Sequence, residues 1–167
     1  MRIFNTRLTP YRLPLRRLWQ THQQQMSERS GWLLQLDSDS HHGIGDCAPL
    51  PAAGTESAEK AQAWLQQHFP RLRGMQVATL LDELDTFTPP PAVRCGIECA
   101  LISLLAAQQG VSVATWLNPE ASNRVMVNAN LGSVEADLSR YLTEAEGYRV
   151  IKLKVGIAPL EQELSWL

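Results

Sequence analysis

The strongest constraint on the fold is a regular alternation of strand and helix patterns that begins near residue 124. Arg124–Leu131 is a short apolar run, and Ser133 then has the character of a helix N-cap. Val150–Val155 is a second apolar run, and Pro159 opens another helical pattern. Strands and helices that alternate with short loops are typical of a parallel sheet. Two strands cannot form a parallel sheet covered on both faces, so we expect this segment to be the incomplete beginning of a larger sheet or barrel.

A long apolar helix is predicted upstream of this segment. Residues 92–109 carry apolar side chains at spacings of three and four, after a stiff break at Pro89–Pro91. Two shorter helices are predicted before it, one from Thr55 as N-cap to just before Pro70 and one over residues 75–84. The strength of the 92–109 pattern favours a central position in its domain. Its apolar positions are Val93, Ile97, Ala100, Leu101, Leu104 and Leu105.

The first fifty residues are predicted to form strands. Apolar residues alternate loosely over residues 2–8 and again over Trp32–Leu36, and an extended run resumes over residues 43–48. Strong turn chemistry at Asp37–Ser40 separates the last two of these strands. The stretch Gln20–Ser30 is polar and rich in Gln, and we expect it to be a long connection that is mobile or functional. The predicted fold class of this part is therefore α+β, with antiparallel strands followed by helices.

The composition is that of an ordinary globular protein. Hydrophobic residues make up 44% and charged residues 19%, and the net charge of −2 gives no reason to expect nucleic acid as a partner. No apolar run approaches the ~18 residues of a membrane-spanning helix. No apolar segment follows Arg2 and Arg7, as it would in a secretory signal. We therefore expect a cytoplasmic protein without a membrane partner.

The three cysteines predict no metal site. Cys95 and Cys99 lie four residues apart on the predicted central helix, and Cys47 lies in a predicted strand. The sequence contains no CxxC pair, and no set of His or carboxylate ligands accompanies these cysteines. We expect buried structural thiols.

Lys152 and Lys154 are the candidate catalytic residues. Residues i and i+2 of a strand point to the same side, so both ammonium groups leave one face of the Val150–Val155 strand. A neighbouring like charge and burial both lower the pKa of a lysine, and a neutral lysine can remove a proton alpha to a carboxylate. The alternative is a solvated lysine face on an edge strand, which is common. The two lysines alone do not decide between these interpretations.

Four segments, taken in order, resemble the enolase superfamily, specifically its muconate-lactonizing branch with the o-succinylbenzoate synthases. Gly43–Pro51 resembles the G-x-G-E-x-x-P-L-P segment of that branch, with Asp46 at the usual Glu position, where we expect a structural role. Val93–Leu101 is similar to a helix of the o-succinylbenzoate synthases, and Val127–Asn128 resembles the first barrel strand. Ile151–Gly156 resembles the K-x-K strand, which is the most specific of the four.

The resemblance implies a domain organisation and a set of site residues. It implies an α+β capping domain over residues 1–122, followed over residues 123–167 by the first β-α-β-α of a truncated (β/α)7β TIM-like barrel. It implies that two capping loops, at about residues 18–30 and 48–55, close over the substrate and shape specificity. Lys154 would be the acid/base, with Lys152 beside it.

The same resemblance implies substrate-binding residues in the two capping loops. Arg29 with Gly31 resembles an R-x-G step of the o-succinylbenzoate synthases, so Arg29 is a candidate in the first loop. Gly54 and Thr55 are the candidates in the second loop. The expected substrate is a small carboxylate.

The activity that the resemblance implies is that of an o-succinylbenzoate synthase-like lyase. Such an enzyme removes a proton alpha to a carboxylate with the help of Mg²⁺ and then eliminates water, in menaquinone biosynthesis. Dipeptide epimerase, N-succinylamino acid racemase and muconate cycloisomerase are alternatives from the same branch. A truncated, non-catalytic binding or assembly module is an alternative of another class.

The family's metal-binding carboxylates lie on later barrel strands, which this sequence does not contain. We therefore predict no metal ligands in this chain, and we expect it to bind no catalytic Mg²⁺ and to be inactive alone. Two barrel strands with their helices would leave apolar faces and strand edges unpaired. We expect either that another copy covers them in a homo-oligomer or that the segment beyond about residue 122 is poorly packed.

Overall fold

The structure is a computed structural model that describes residues 1–20, 25–133, 143 and 145–166. The chain divides into two compact units. Unit 1 comprises Met1–Pro14 and Glu28–Ala121, and unit 2 comprises Leu15–Ser27 and Ser122–Leu167, as far as these are described. The domain assignment with a boundary after residue 122 stays a prediction. The two units differ from this assignment, because Leu15–Ser27 is part of unit 2 together with Ser122–Leu167.

A three-stranded sheet forms one layer of unit 1. Its strands are β1 (Asn5–Gln20), β2 (Gln25–Asp37) and β3 (His42–Cys47), hydrogen-bonded in that order. β2 and β3 are antiparallel, with Trp32 opposite Cys47 at one end of the ladder. Side chains alternate between buried and exposed along both strands, as the period of two predicts.

The prediction of a long connection over Gln20–Ser30 was wrong. Gln20 still belongs to β1, and Gln25–Ser30 belongs to β2, so the two strands extend as an arm of the hairpin. Residues 21–24 lie outside the described residues. A polar sequence suits such an arm because the strand ladder satisfies the backbone while most of its described side chains are exposed or half-buried.

Four helices follow the sheet in unit 1. They are α1 (Ala58–His68), α2 (Val77–Glu83), α3 (Pro91–Gln108) and α4 (Val113–Leu117). Short 3₁₀ turns lie at Pro51–Ala53, Phe69–Leu72 and Leu84–Phe87. The helices predicted up to Pro70, over residues 75–84 and over residues 92–109 are confirmed, with small shifts at their ends.

The N-cap predicted at Thr55 was wrong, because three neighbouring polar residues have different partners. Ser57 is the N-cap of α1, and its Oγ accepts the N–H of Lys60 at 3.3 Å. The hydroxyl oxygen of Thr55 accepts the N–H of Leu50 at 2.6 Å and closes the preceding loop. Glu56, which lies between them, caps α3.

The central helix α3 is the main element of the core of unit 1. The carboxylate of Glu56 accepts the first two free N–H groups of the helix, those of Ala92 and Val93, each at 3.0 Å. A buried negative charge at this end also complements the helix dipole. α3 is long and apolar enough to cross a membrane by length and composition alone, contrary to our expectation, but its buried side chains pack in this core. The buried positions include Val93, Gly96, Ile97, Ala100, Leu101 and Leu104.

Backbone contacts between β3 and α3 require glycine. A Cβ on Gly45 would lie 1.8 Å from the carbonyl oxygen of Gly96, and a Cβ on Gly43 would lie 2.0 Å from that of Ala100. Neither position has a positive φ, so the requirement is for space and not for an unusual backbone conformation. The Gly-x-Gly pattern thus serves helix-on-strand packing.

Unit 2 contains a parallel pair of strands, as predicted. β4 (Ala129–Ser133) pairs with β5 (Ile151–Lys154), and α5 (Leu160–Trp166) follows. The strand predicted over Arg124–Leu131 was placed too early, since residues 124–128 are not strand. The helix predicted from Ser133 to Gly147 falls largely outside the described residues.

Some apolar residues of unit 2 are buried together, and others are exposed. Ala129, Leu131 and Ala145 are buried together, with Leu153 packed against them. Other apolar side chains are exposed, as expected for a parallel pair without further strands. The exposed ones are Val125, Met126, Val127, Val150, Ile151, Val155, Leu160 and Leu164.

The cysteines were predicted to be buried, and this is correct only for Cys47. Burial raises the pKa of the Cys47 thiol to about 12. Cys95 and Cys99 are exposed, because they lie beside the apolar stripe of α3 and not in it. All three are free thiols.

We predict that Gly45→Ala lowers the free energy of unfolding of unit 1 by about 2–3 kcal/mol, because the new methyl group overlaps the α3 backbone. Ile44 between the two glycines is 47% exposed, so Ile44→Thr is a matched control that should change it by less than about 0.5 kcal/mol. Urea denaturation followed by circular dichroism measures both. Equal stability of the two variants would show that β3 and α3 do not approach this closely.

Candidate active site

The candidate site lies on β5, on the face opposite the small apolar cluster of unit 2. Leu153 packs with that cluster, so its neighbours Lys152 and Lys154 leave the other face. In the ladder Lys152 is paired with Asn130 and Lys154 with Ser133. Lys152 is exposed and Lys154 is half-buried. The structure therefore brings the two predicted catalytic lysines together, and it makes their surroundings unequal.

The electrostatics of the pair favour Lys154 as the base. Desolvation lowers the pKa of Lys154, and the like charge of Lys152 lowers it further. Both causes disfavour the ammonium form of Lys154 relative to an ordinary lysine. A lysine with a lowered pKa is the better candidate for a base.

Glu163 fixes the turn that follows β5. Its carboxylate accepts the N–H groups of Gly156, Ile157 and Ala158 at 2.7, 2.8 and 2.9 Å. The side chain is 2% exposed because this turn wraps around it. The three hydrogen bonds to the charged form lower the pKa of Glu163, so the carboxylate stays ionised. Glu163 thereby anchors the backbone two residues beyond Lys154.

Trp19 and Glu163 are site residues that the sequence patterns did not identify. The indole of Trp19, near the end of β1, lies over the Nζ of Lys154. No local pattern could have found this contact, since the two residues are far apart in the sequence. A signal for Glu163 does exist, because Pro159 marks a helix start and a Glu in the following turn can cap the preceding loop.

Arg29 binds backbone in the structure. Its guanidinium donates to the carbonyl oxygens of Ala48 and, at 2.6 Å, of Pro49. It therefore links β2 to the start of the second predicted capping loop. A substrate-binding role for Arg29 stays a prediction.

The remaining predicted substrate residues shape the loop over residues 48–55. Gly54 has a φ of 88° and ends the 3₁₀ turn with its N–H on the carbonyl oxygen of Pro51. Thr55 closes the loop through Leu50, as described above. Their binding of substrate also stays a prediction, since they lie in unit 1 and the lysines in unit 2.

Tyr11 and Asp46, which lie near Arg29, are joined by a hydrogen bond. The hydroxyl of Tyr11 donates to Oδ1 of Asp46 at 2.7 Å. Burial, followed by this hydrogen bond, raises the pKa of Tyr11 to about 12, so the donor keeps its proton. A Cβ on Gly31 would lie 2.5 Å from the backbone carbonyl oxygen of Cys47 and 2.6 Å from that hydroxyl, which explains the glycine of the R-x-G step.

The described residues do not offer a magnesium site. Within residues 1–20, 25–133, 143 and 145–166, no three His, Cys, Asp or Glu side chains converge as metal ligands would. Glu163, the carboxylate that follows the lysine strand, already accepts three backbone N–H groups. The expected Mg²⁺ therefore has no described ligand set here.

Comparison with known proteins decides the family. The profile of the family described as "MenC, N-terminal domain" matches residues 3–104, which is more than half of the chain. The chain belongs to the MenC N-terminal domain family. An o-succinylbenzoate synthase of Proteus mirabilis is 31% identical to this MenC-type chain over 153 residues, with 92% of the chain and 42% of the relative covered.

Other relatives extend the comparison to the wider superfamily. Muconate cycloisomerase 1 of Pseudomonas putida is 31% identical over 146 residues, which cover 77% of the MenC-type chain and 37% of that enzyme. A dipeptide epimerase of Methylococcus capsulatus, complexed with Mg and the dipeptide L-Arg-D-Lys, has the same fold, with a TM-score of 0.86 at 24% identity. That match covers 99% of the chain and 49% of the epimerase. The chain thus spans less than half the length of these proteins, and it has the enolase-superfamily fold of a capping domain followed by a parallel strand pair.

We predict that Lys152→Met raises the pKa of Lys154 toward the ordinary lysine value, because the variant removes a like charge. Part of the depression should remain, because desolvation is the larger cause. The sequence contains three lysines, so ¹³C NMR of the reductively methylated MenC-type chain resolves each titration. Lys60→Met is the control and should leave Lys154 unchanged. A Lys154 pKa that is equally low in the Lys152 variant would exclude coupling between the two amines.

We predict that Glu163→Gln speeds amide hydrogen exchange at Gly156, Ile157 and Ala158 by about tenfold, because charge-assisted hydrogen bonds become neutral ones. The anchor should also depend on pH in a defined direction. Since the folded-state pKa is lowered, its stabilisation is present above the unfolded-state pKa and is lost as the pH falls through the folded one. Hydrogen exchange measured by NMR tests the variant, with Glu161→Gln on the same helix as control. Unchanged exchange in Glu163→Gln would refute the anchor.

Proposed function

We propose that this chain supplies the acid/base of an o-succinylbenzoate synthase-like lyase acting on a small carboxylate. The observation that carries the proposal is the half-buried Lys154, with its lowered pKa, beside Lys152 on one face of β5. The family membership and the o-succinylbenzoate synthase of Proteus mirabilis support the same activity. Menaquinone biosynthesis would be the pathway that such an activity serves.

The proposed step is a proton abstraction followed by an elimination. Neutral Lys154 takes the proton from the carbon alpha to the carboxylate, and the C–H electron pair becomes the new double bond as the C–O bond to the hydroxyl group breaks. The ammonium group of Lys154 then returns the proton to the departing hydroxide, which leaves as water. In the family Mg²⁺ supplies Lewis-acid stabilisation of the carboxylate, but the described residues hold no ligands for it, so no step is assigned to it here.

Epimerisation of a dipeptide is the second candidate, favoured by the TM-score of 0.86 to the Methylococcus capsulatus enzyme. Epimerisation removes a proton from one face of the carbon and returns it to the other, so it requires groups on two sides of the substrate. Lys152 and Lys154 leave the same face of one strand, so an epimerase would take its second group from elsewhere, and the assay below distinguishes the two activities. N-succinylamino acid racemase and muconate cycloisomerase activities are further outcomes of the same test.

The remaining expectations follow from the same family. We propose a cytoplasmic location, in keeping with three free thiols. We also propose that another copy of the chain or further barrel strands cover the exposed apolar residues of unit 2. A non-catalytic assembly module remains the proposal of another class, and it applies if the assay below finds no turnover.

We propose as substrate a cyclohexadiene carboxylate, which an o-succinylbenzoate synthase-like lyase would dehydrate. We predict that Lys154→Ala lowers the rate of this dehydration by about 10²–10⁴-fold, the usual contribution of a positioned acid/base. The assay uses the protein at its full natural length and follows loss of the diene by absorbance. Lys60→Ala, which removes the lysine of α1, is the control and should keep full activity.

Three results would count against the lyase proposal. Full turnover by the Lys154→Ala variant would remove this lysine from the mechanism. Racemisation of N-acylamino acids or dipeptides without dehydration would favour the second candidate. Absence of any turnover in the unaltered full-length protein would favour the non-catalytic module.

A further inference from the structure

Two exposed thiols lie next to each other on the central helix of unit 1. Cys95 and Cys99 are four residues apart on α3, so their side chains leave the helix surface on consecutive turns of the same face. Both are exposed free thiols, although Gly96, Ile97 and Ala100 beside them are buried in the core. Packing of the core therefore does not account for these two cysteines.

The spacing of the two thiols determines what they can form together. The pKa of Cys99 is raised by burial and then by the neighbouring Cys95, so the two groups interact. Residues at i and i+4 of a helix have Cβ atoms about 5–6 Å apart. A disulfide requires about 3.5–4.5 Å between its Cβ atoms, so a direct bond between the sulfurs would distort α3. One atom bound between the two sulfurs spans the gap without such distortion.

The carboxylates near the pair already have partners. Glu98 forms an ion pair with Arg94 at 2.8 Å, and Asp46 accepts the hydroxyl of Tyr11 at 2.7 Å. Both carboxylates contribute to the raised pKa of Cys99, which places them near the thiols. In the part of the chain that the structure describes, no group of three His, Cys, Asp or Glu side chains could hold a metal ion. Among the described residues the pair therefore offers two sulfur ligands and no third.

The number and the softness of these ligands select the cation. Thiolates prefer soft or borderline cations such as Cu(I) and Zn²⁺, whereas Mg²⁺ prefers oxygen ligands. Zn²⁺ in structural sites takes four protein ligands in a tetrahedron, which is more than the pair supplies. Cu(I) forms stable complexes with two thiolates in a nearly linear arrangement. Two sulfurs on consecutive turns of a helix suit that arrangement.

We infer that Cys95 and Cys99 form a two-coordinate site for Cu(I) on the exposed face of α3. Two S–H bonds break and two S–Cu bonds form, so each Cu(I) that binds releases two protons, and no electron is transferred. The inference does not depend on the proposed lyase activity.

Competition for Cu(I) against a chromophoric chelator, with the reduced chain and without oxygen, tests the inference. We expect one Cu(I) per chain. Cys95→Ser and Cys99→Ser should each weaken binding by about 10²–10⁴-fold, the usual gain when two binding groups are held on one scaffold. Cys47→Ala removes the buried thiol, keeps the pair and should bind Cu(I) as the unaltered chain does. Circular dichroism verifies that each variant keeps its helices.

X-ray absorption at the copper edge tests the geometry of the site without any substitution. The expected spectrum has two sulfur neighbours and no nitrogen or oxygen neighbour. Three or more neighbours, or one copper for every two chains, would overturn the inference, because the pair would then not be the complete site.

Two further results would contradict the inference. Equal affinity for Cu(I) in the unaltered chain and in either serine variant would show adventitious capture by single thiols. A disulfide between Cys95 and Cys99 after mild oxidation of the folded chain, detected as the loss of two hydrogens by peptide mass spectrometry, would show that the sulfurs join directly. None of these measurements requires turnover, so the Lys154→Ala assay decides the lyase proposal separately.

Discussion

The close contact between β3 and α3 is the constraint on which the rest of unit 1 depends. Because Gly43 and Gly45 have no Cβ, the strand lies directly on the backbone of the helix at Gly96 and Ala100. Leu34 on the neighbouring strand β2 reaches the same helix. The chain then leaves β3 at Cys47, and Arg29 on β2 and Thr55 hold the loop that follows. The start of this loop is thus fixed where β3 lies on the helix.

Local sequence patterns predicted the helices and strands better than they predicted the tertiary contacts between them. The spacing of apolar residues over 92–109 depends on the helix alone, and α3 appears where it was expected. Thr55, Glu56 and Ser57 are all suitable cap residues, so composition could not decide which of them caps α1. Tertiary contacts determine which residue caps α1, because Glu56 bonds to α3 and Thr55 bonds to Leu50. The extension of β1 and β2 into the arm was not predicted for a related reason. A strand exposed to solvent on both faces lacks the apolar alternation that indicates strands.

The same distinction applies to the candidate site. The i, i+2 spacing of Lys152 and Lys154 is a property of one strand, so their common face could be predicted. Which of the two lysines is the less exposed could not be predicted, because that depends on which residues cover them. Trp19 reaches Lys154 only through the path of the hairpin arm, and sequence separation hides it. The role of Glu163 was more accessible to prediction than that of Trp19, since its three backbone donors lie within seven residues of it.

The proposed alpha-proton abstraction sets two requirements, and the described residues bear on one of them. Removing such a proton needs a base whose neutral form is populated, and it needs positive charge to stabilise the electron density that moves onto the carboxylate. Desolvation and the charge of Lys152 lower the pKa of Lys154 and so act toward the first requirement. The ring of Trp19 lies over its amine, and Glu163 holds the turn that follows its strand. The second requirement has no ligand set among the described residues. For the proposed reaction the described residues thus provide the strand of the base and its anchor at Glu163, and these contacts do not depend on where charge-stabilising groups lie.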